Sequence, residues 1–159
     1  MRPALLASVV AALSACSSGS SSPSASDGGG GGAGASSPEQ LCVDTINQDR
    51  ATLNLPPYTR WTAEESCAST QAQKDSVSGV AHSAFGSCGE SAQDECPGWP
   101  GPPASMITSC LAQMWAEGPG PFADGHGHYD NMSNTSYTQV ACGFYTLSDG
   151  SVWAAQDFK

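Results

Sequence analysis

Apolar positions recur at three-to-four-residue spacing in three stretches of the chain, and β-prone residues collect in two runs near its C-terminal end. The first helical stretch opens at Ser37-Pro38-Glu39-Gln40, a serine N-cap with proline at the first helical position and glutamine placed to reach back, as in a capping box. Leu41, Cys42, Thr45, Ile46 and Leu53 continue it, and Pro56-Pro57 must end it. A second start is predicted at Thr62-Ala63-Glu64-Glu65, again with capping-box spacing. Ala63, Cys67, Ala68 and Ala72 form a narrow small-residue face there, and Gly79 is the stop. The stretch from Gly79 to Pro103, rich in Cys, Gly and Pro, reads as loop. Met106, Ile107, Cys110, Leu111, Met114 and Trp115 then make one apolar stripe, which Gly118-Pro119-Gly120-Pro121 terminates. Tyr137 to Leu147 and Ser151 to Phe158 are two strands joined by Ser148-Asp149-Gly150, a tight-turn signal for a hairpin. Helices first and a hairpin last predict an α+β class, with helices covering a small antiparallel sheet.

The first 37 residues follow a different pattern. Met1-Arg2 and the apolar run from Pro3 to Ala15 read as a signal peptide, residues 1–15, ending in Leu13-Ser14-Ala15-Cys16. That tetrapeptide resembles a bacterial lipobox, which implies a lipidated Cys16 as the mature N-terminus. Residues 16–37 are dominated by Ser and Gly and cannot bury enough apolar area to order themselves, so they read as a flexible tether with a mean span of about 25 Å. Residues 38–159 remain for a single folded domain, expected to be a monomer held to the extracytoplasmic side of a bacterial envelope by its lipid.

The formal charge of the 159-residue chain is −10, from five basic and fifteen acidic residues. Such a surface cannot neutralise phosphates, so nucleic acid is excluded as a partner. Besides Cys16 the cysteines are Cys42, Cys67, Cys88, Cys96, Cys110 and Cys142. An even number in an exported domain predicts three disulfides, and the lack of any C-x-x-C pair argues against a thiolate zinc site. The short loop between them favours Cys88 with Cys96. Cys42 with Cys67 would staple the first two helices, and Cys110 with Cys142 would tie the third helix to the hairpin.

Gly127-His128-Tyr129-Asp130-Asn131-Met132, followed by Tyr137-Thr138-Gln139-Val140-Ala141-Cys142-Gly143, resembles the signature of the CAP superfamily of cysteine-rich secretory proteins, antigen 5 and pathogenesis-related proteins. Other blocks arrive in the same order: Ile46-Asn47, Arg50 and Leu55-Pro56-Pro57-Tyr58 before Trp61; Ala81-His82-Ser83 with Gly89-Glu90; Met114-Trp115-Ala116-Glu117; and Val152-Trp153 to Asp157-Phe158. Ser91, Ala141 and the short spacing from Trp115 to Glu117 depart from the usual pattern. The resemblance implies an α-β-α sandwich and a cavity tetrad of His82, Glu90, Glu117 and His128.

Two neutral imidazoles can offer nitrogen to Zn2+ or another divalent cation, His82 and His128 being the candidate ligands. Carboxylates beside them can ligate, orient an imidazole or hold a water. Three functions fit these residues: a binding module whose cavity holds a divalent metal or small ligand, a metal-assisted peptidase-like hydrolase, and a structural or adhesion module with a purely structural tetrad. No catalytic nucleophile stands out. His126 lies outside the family pattern and reads as a solvated loop residue. Trp61, Trp115, Tyr129, Tyr137 and Phe144 read as core, and Trp99 as an aromatic on an exposed loop.

Overall fold

The computed structural model describes residues 36–159. The expected signal peptide, Cys16 and nearly all of the tether lie outside them. Nine elements follow in order: α1 (Pro38–Thr52), β1 (Thr59–Arg60), α2 (Glu65–Ser78), β2 (Ala92–Pro100), α3 (Pro103–Ala116), a 3-10 turn (Phe122–Asp124), α4 (Gly127–Ser133), β3 (Gln139–Thr146) and β4 (Ser151–Phe158). Among the described residues no helix is long and apolar enough to cross a membrane.

The four strands lie in the order β1-β3-β4-β2, antiparallel except for the two-residue parallel pairing of β1 with β3. Strand alternation divides the sheet into two faces of different character. On one face Val140, Cys142, Val152, Ala154 and Phe158 join Ile46, Ile107, Leu111 and Met132 in an apolar core under α1, α3 and α4. On the other face α2 presses on β3 and β4. Ala68 and Ala72 are fully buried there, and a Cβ on Gly143 would collide with the backbone of Ala68 and Ser69, so the small-residue face of α2 is what lets helix and sheet approach. Three layers, α-β-α, result.

Ser37 caps α1 by accepting the N–H of Gln40 at 3.3 Å, and Gly79 ends α2 at φ 68°, as the sequence predicts. The capping box at Thr62 does not form: α2 starts at Glu65, and its N-cap residue Glu64 makes no side-chain cap bond. The stretch read as loop contains β2. Its Pro97, Gly98 and Pro100 mask a strand, but β2 is the outermost strand, with a register shift between Cys96 and Trp99, and an edge tolerates residues that donate nothing to a ladder. Trp99 sits on this strand, half-buried and packed against the core, rather than on an exposed loop.

Three disulfides form, with none of the expected pairings. Cys42 joins α1 to Cys142 on β3, Cys67 joins α2 to Cys88, and Cys96 on β2 joins Cys110 on α3. The extended chain from Ala92 explains the error over Cys88 and Cys96. A strand advances about 3.3 Å per residue, so β2 carries Cys96 beyond the reach of Cys88 and lays it against α3.

Candidate functional site

α4 positions half of the site, and no periodicity marks it. Its seven residues are held from outside, chiefly by Arg50, which is only 1% exposed. The guanidinium donates from Nη1 to the carbonyls of Met132 at 2.7 Å and Asn134 at 2.9 Å, and from Nε to Pro56 at 2.8 Å. It also stacks 3.6 Å over the ring of Tyr58, whose hydroxyl bonds the carbonyls of Asn131 and Asn134. A buried cation thus caps the C-terminal end of α4, where the helix dipole and orphan carbonyls favour positive charge. At the same end Asn131 donates Nδ2 to Asp94 Oδ1 at 2.8 Å.

The N-terminal end of α4 is tied to the end of α3. Glu117 accepts the ring nitrogen Nδ1 of His128 at 2.5 Å on Oε1, and the backbone N–H groups of His128 and Tyr129 at 3.1 and 3.3 Å on Oε2. Trp115 and Tyr129 pack beside this clasp with ring centroids 4.6 Å apart. His126 is not a solvated loop residue. It is half-buried, its Nδ1 lies 2.7 Å from the carbonyl oxygen of Glu117 and 3.0 Å from that of Gly118, and its ring fills the space a Cβ on Gly120 would need. The ring of Phe122, 66% exposed, lies against Gly127 where a Cβ would meet it at 2.8 Å. The sequence contains each of these residues, but only the return of the chain from residue 117 to 126 shows that the two histidines hold the backbone and the side chain of the same glutamate.

His82 comes from the turn after α2 with φ 61°, a left-handed conformation unfavourable for any residue with a Cβ. Two contacts hold it there. Its N–H donates to Glu95 Oε2 at 2.6 Å, and its Nδ1 bonds Gln93 Oε1 at 2.9 Å. The residue beside the His82 ring is therefore an amide on β2. Glu90 is engaged elsewhere: it accepts N–H groups from Gly86 at 2.5 Å and Cys88 at 2.8 Å and the amide of Gln71 at 2.6 Å. Burial raises the pKa of Glu90, but these donors outweigh it and hold the carboxyl below its ordinary value.

His82, His128 and Glu117 line one cavity of about 170 Å³ together with Gln93, Asp94 and Asn131; Glu90 does not line it. The Nδ1 atoms of both histidines face oxygen acceptors, which fixes the tautomer with the proton on Nδ1 and leaves an acceptor lone pair on each Nε2. Among the described residues the closest groups of three potential metal donors are Glu64-Cys67-Cys88 and Cys88-Glu90-Asp157. Both depend on the sulfur of the Cys67–Cys88 disulfide, which is not a thiolate, so neither is a metal centre.

Beneath the cavity lies a polar layer between α2 and the sheet. Gln93 donates to Gln71 Oε1 and Asp157 Oδ1 at 2.8 and 2.9 Å, and Asp75 accepts the Ser83 hydroxyl and the Ala84 N–H. Burial pushes the carboxyls of Glu95 and Asp157 up to about 7, neighbouring acidic side chains adding to the shift, and raises that of fully buried Asp94 as well. Sequence patterning missed all three, because each sits in a strand where apolar residues are the norm.

This arrangement of helices, sheet and paired histidines can be set beside known proteins. The model of the CAP cysteine-rich secretory protein family matches residues 43–158. The chain belongs to the CAP family. No curated protein matches it. Among solved structures the CAP domain is similar to venom allergen-like protein 4 of Schistosoma mansoni, at 9% identity and TM-score 0.52, over 78% of this chain and 90% of that one. It is similar to Na-ASP-1 at 10% identity and TM-score 0.56, over 89% of this chain but only 43% of that longer one. Hookworm platelet inhibitor follows at 15% identity and TM-score 0.52, over 76% of this chain and 67% of its own. At these identities the likeness is one of fold. Within that fold, this CAP domain pairs His82 with the amide of Gln93 and His128 with a carboxylate.

Proposed function

We propose that this CAP domain is a binding module whose cavity takes a divalent cation, with zinc as the reference ion, through Nε2 of His82 and His128. The observation that carries the reading is the shared cavity with both Nδ1 atoms occupied by acceptors, which leaves the two Nε2 atoms for ligation. Glu117 acts through His128 as a positioning residue, and the remaining coordination positions fall to water or to a ligand brought by the ion.

Binding is favoured over hydrolysis by the state of the carboxyls. Glu117 is already engaged by three donors, and burial biases Asp94 toward its neutral form, so neither is a free general base. The three disulfides fit an oxidising, extracytoplasmic compartment. Anchoring through a lipid on Cys16 rests on the Leu13-Ser14-Ala15-Cys16 tetrapeptide and the Ser/Gly tether after it.

Calorimetric titration of the full chain with zinc tests the cavity. One ion per chain is the expected result. An absence of binding with the fold intact would leave the histidine pairs a structural device.

A further inference from the structure

Glu90 takes no part in lining the cavity between the histidines, yet two buried amides join it to His82. Its carboxylate accepts on both oxygens, since Oε1 takes the backbone N–H of Gly86 at 2.5 Å and Oε2 that of Cys88 at 2.8 Å. Whatever part of Gln71 faces Oε1 must therefore donate. The Gln71 amide nitrogen does so at 2.6 Å, and the same nitrogen lies 3.2 Å from the carbonyl oxygen of Ala84, which can only accept. Turning this amide over would set oxygen against oxygen at both contacts, and Gln71 is wholly buried, so water cannot compensate.

The direction of Gln71 dictates that of Gln93. Gln71 presents Oε1 across to β2, where Gln93 Nε2 donates to it at 2.8 Å and to Asp157 Oδ1 at 2.9 Å. Both hydrogens of the Gln93 amide nitrogen are then in use, and its Oε1 is left facing His82 Nδ1 at 2.9 Å. An acceptor at that distance requires the hydrogen on Nδ1. Glu95 Oε2, 4.0 Å from the same nitrogen, is too far to take that hydrogen and already accepts the His82 backbone N–H.

We propose that Glu90, Gln71 and Gln93 are positioning residues for His82: the carboxylate sets the direction of the first amide, the first amide sets the second, and the second holds the hydrogen of His82 on Nδ1, so that Nε2 is the atom offered to the cavity. Glu90 and Gln71 act through Gln93 and not on the ring itself. His128 reaches the same state through the single carboxylate of Glu117, so the two histidines of the cavity are set by unlike means. The inference rests on the reading of the cavity as a cation site for its purpose, but its test needs no ion.

Long-range proton–nitrogen correlation NMR of the isotope-labelled full chain, kept metal-free by a chelator, reads the tautomer of each imidazole. The chain has three histidines, so His126 and His128 serve as internal references. His82 is expected as the Nδ1–H tautomer, against the Nε2–H form that free histidine prefers. Gln93→Met removes the acceptor and is expected to return His82 to Nε2–H while the His128 pattern stays. Gln71→Met leaves the partners of the His82 ring in place but lets the Gln93 amide turn over. Asp157, its carboxyl pushed up to about 7 by burial, can carry the hydrogen that the reversed amide needs, so a share of Nε2–H is expected at His82. Glu90→Met is expected to give a smaller share, since the Ala84 carbonyl still holds Gln71. Ser83→Ala breaks a hydrogen bond of the same layer outside this path and is expected to leave His82 unaltered. An Nε2–H pattern at His82 in the parent, Nδ1–H retained in full by any of the three methionine variants, or an equal shift in Ser83→Ala would each overturn the proposal. Where a variant does not fold, the parent decides: the side-chain amide hydrogens of Gln71 and Gln93 are expected to exchange slowly, and fast exchange would contradict the path. Zinc titration is scored separately, because a cavity that takes no ion leaves the tautomers as read.

Discussion

Glu117 holds His128 at two points, taking Nδ1 at 2.5 Å on one carboxylate oxygen and the backbone N–H at 3.1 Å on the other. Both ring direction and backbone position of His128 are thus set by one side chain, while His126 Nδ1 bonds the backbone carbonyl of Glu117. His128→Ala is expected to abolish zinc binding, and Glu117→Gln to weaken it about 10–100-fold, the usual effect of losing the group behind a metal-bound histidine. His126→Ala is expected to weaken it less, through a looser Glu117, and to lower Tm. Calorimetry with circular dichroism on each variant checks the order. Unaltered affinity in folded His128→Ala would sink the assignment.

Arg50 connects the first helix to the site. Arg50→Met keeps much of the stem volume but leaves the carbonyls of Met132 and Asn134 without their charged donor, and is expected to cost roughly 3–5 kcal/mol. Arg50→Lys is expected to recover only part, because a single ammonium cannot bond the carbonyl of Pro56 together with those of Met132 and Asn134, nor stack flat on Tyr58. Urea unfolding measures both; a lysine variant as stable as the parent would contradict this account.

The disulfides differ in the length of chain they close. Cys42–Cys142 spans 100 residues and Cys96–Cys110 spans 14. On chain-entropy grounds, replacing the first pair by serines is expected to cost about 4–5 kcal/mol against about 3 for the second. Thermal unfolding ranks them, and peptide mapping of the unreduced protein checks the pairing itself. Recovery of a Cys88–Cys96 peptide would refute the connectivity.

Glu95 and Asp157, held up to about 7 mainly by burial, keep protons in the folded chain that the unfolded chain releases near the ordinary carboxyl range of about 4. Between those limits the native state binds more protons than the unfolded state, so stability falls as pH rises across the window and is fullest on its acid side. The urea midpoint is therefore expected to be higher at pH 5 than at pH 7.5. Glu95→Gln should flatten the difference, since an amide has no proton to lose. A midpoint that climbs from pH 5 to 7.5 would show that another group dominates.

How much of this was legible beforehand follows from where each signal resides. The three long helices and the hairpin announce themselves through local physics: Ser37 caps α1, Gly79 turns out of α2, the Met106-to-Trp115 stripe makes α3, and the Asp149-Gly150 turn joins β3 to β4. The order of short motifs, with His82, Glu117 and His128 among them, was enough for the family and for three of the residues that line the cavity. What pattern could not reach is whatever depends on a distant partner. α4 is one turn longer than its nucleus and exists because Arg50, 82 positions before Met132, reaches its carbonyls. β2 carries acids, glycine and prolines that a strand survives only at an edge, and its extension decides both the Cys96–Cys110 pairing and the seat of Gln93 beside His82. Local propensity is set by neighbours a few bonds away, whereas the partner of a histidine is set by which strand passes beneath it. Only the packed chain decides that.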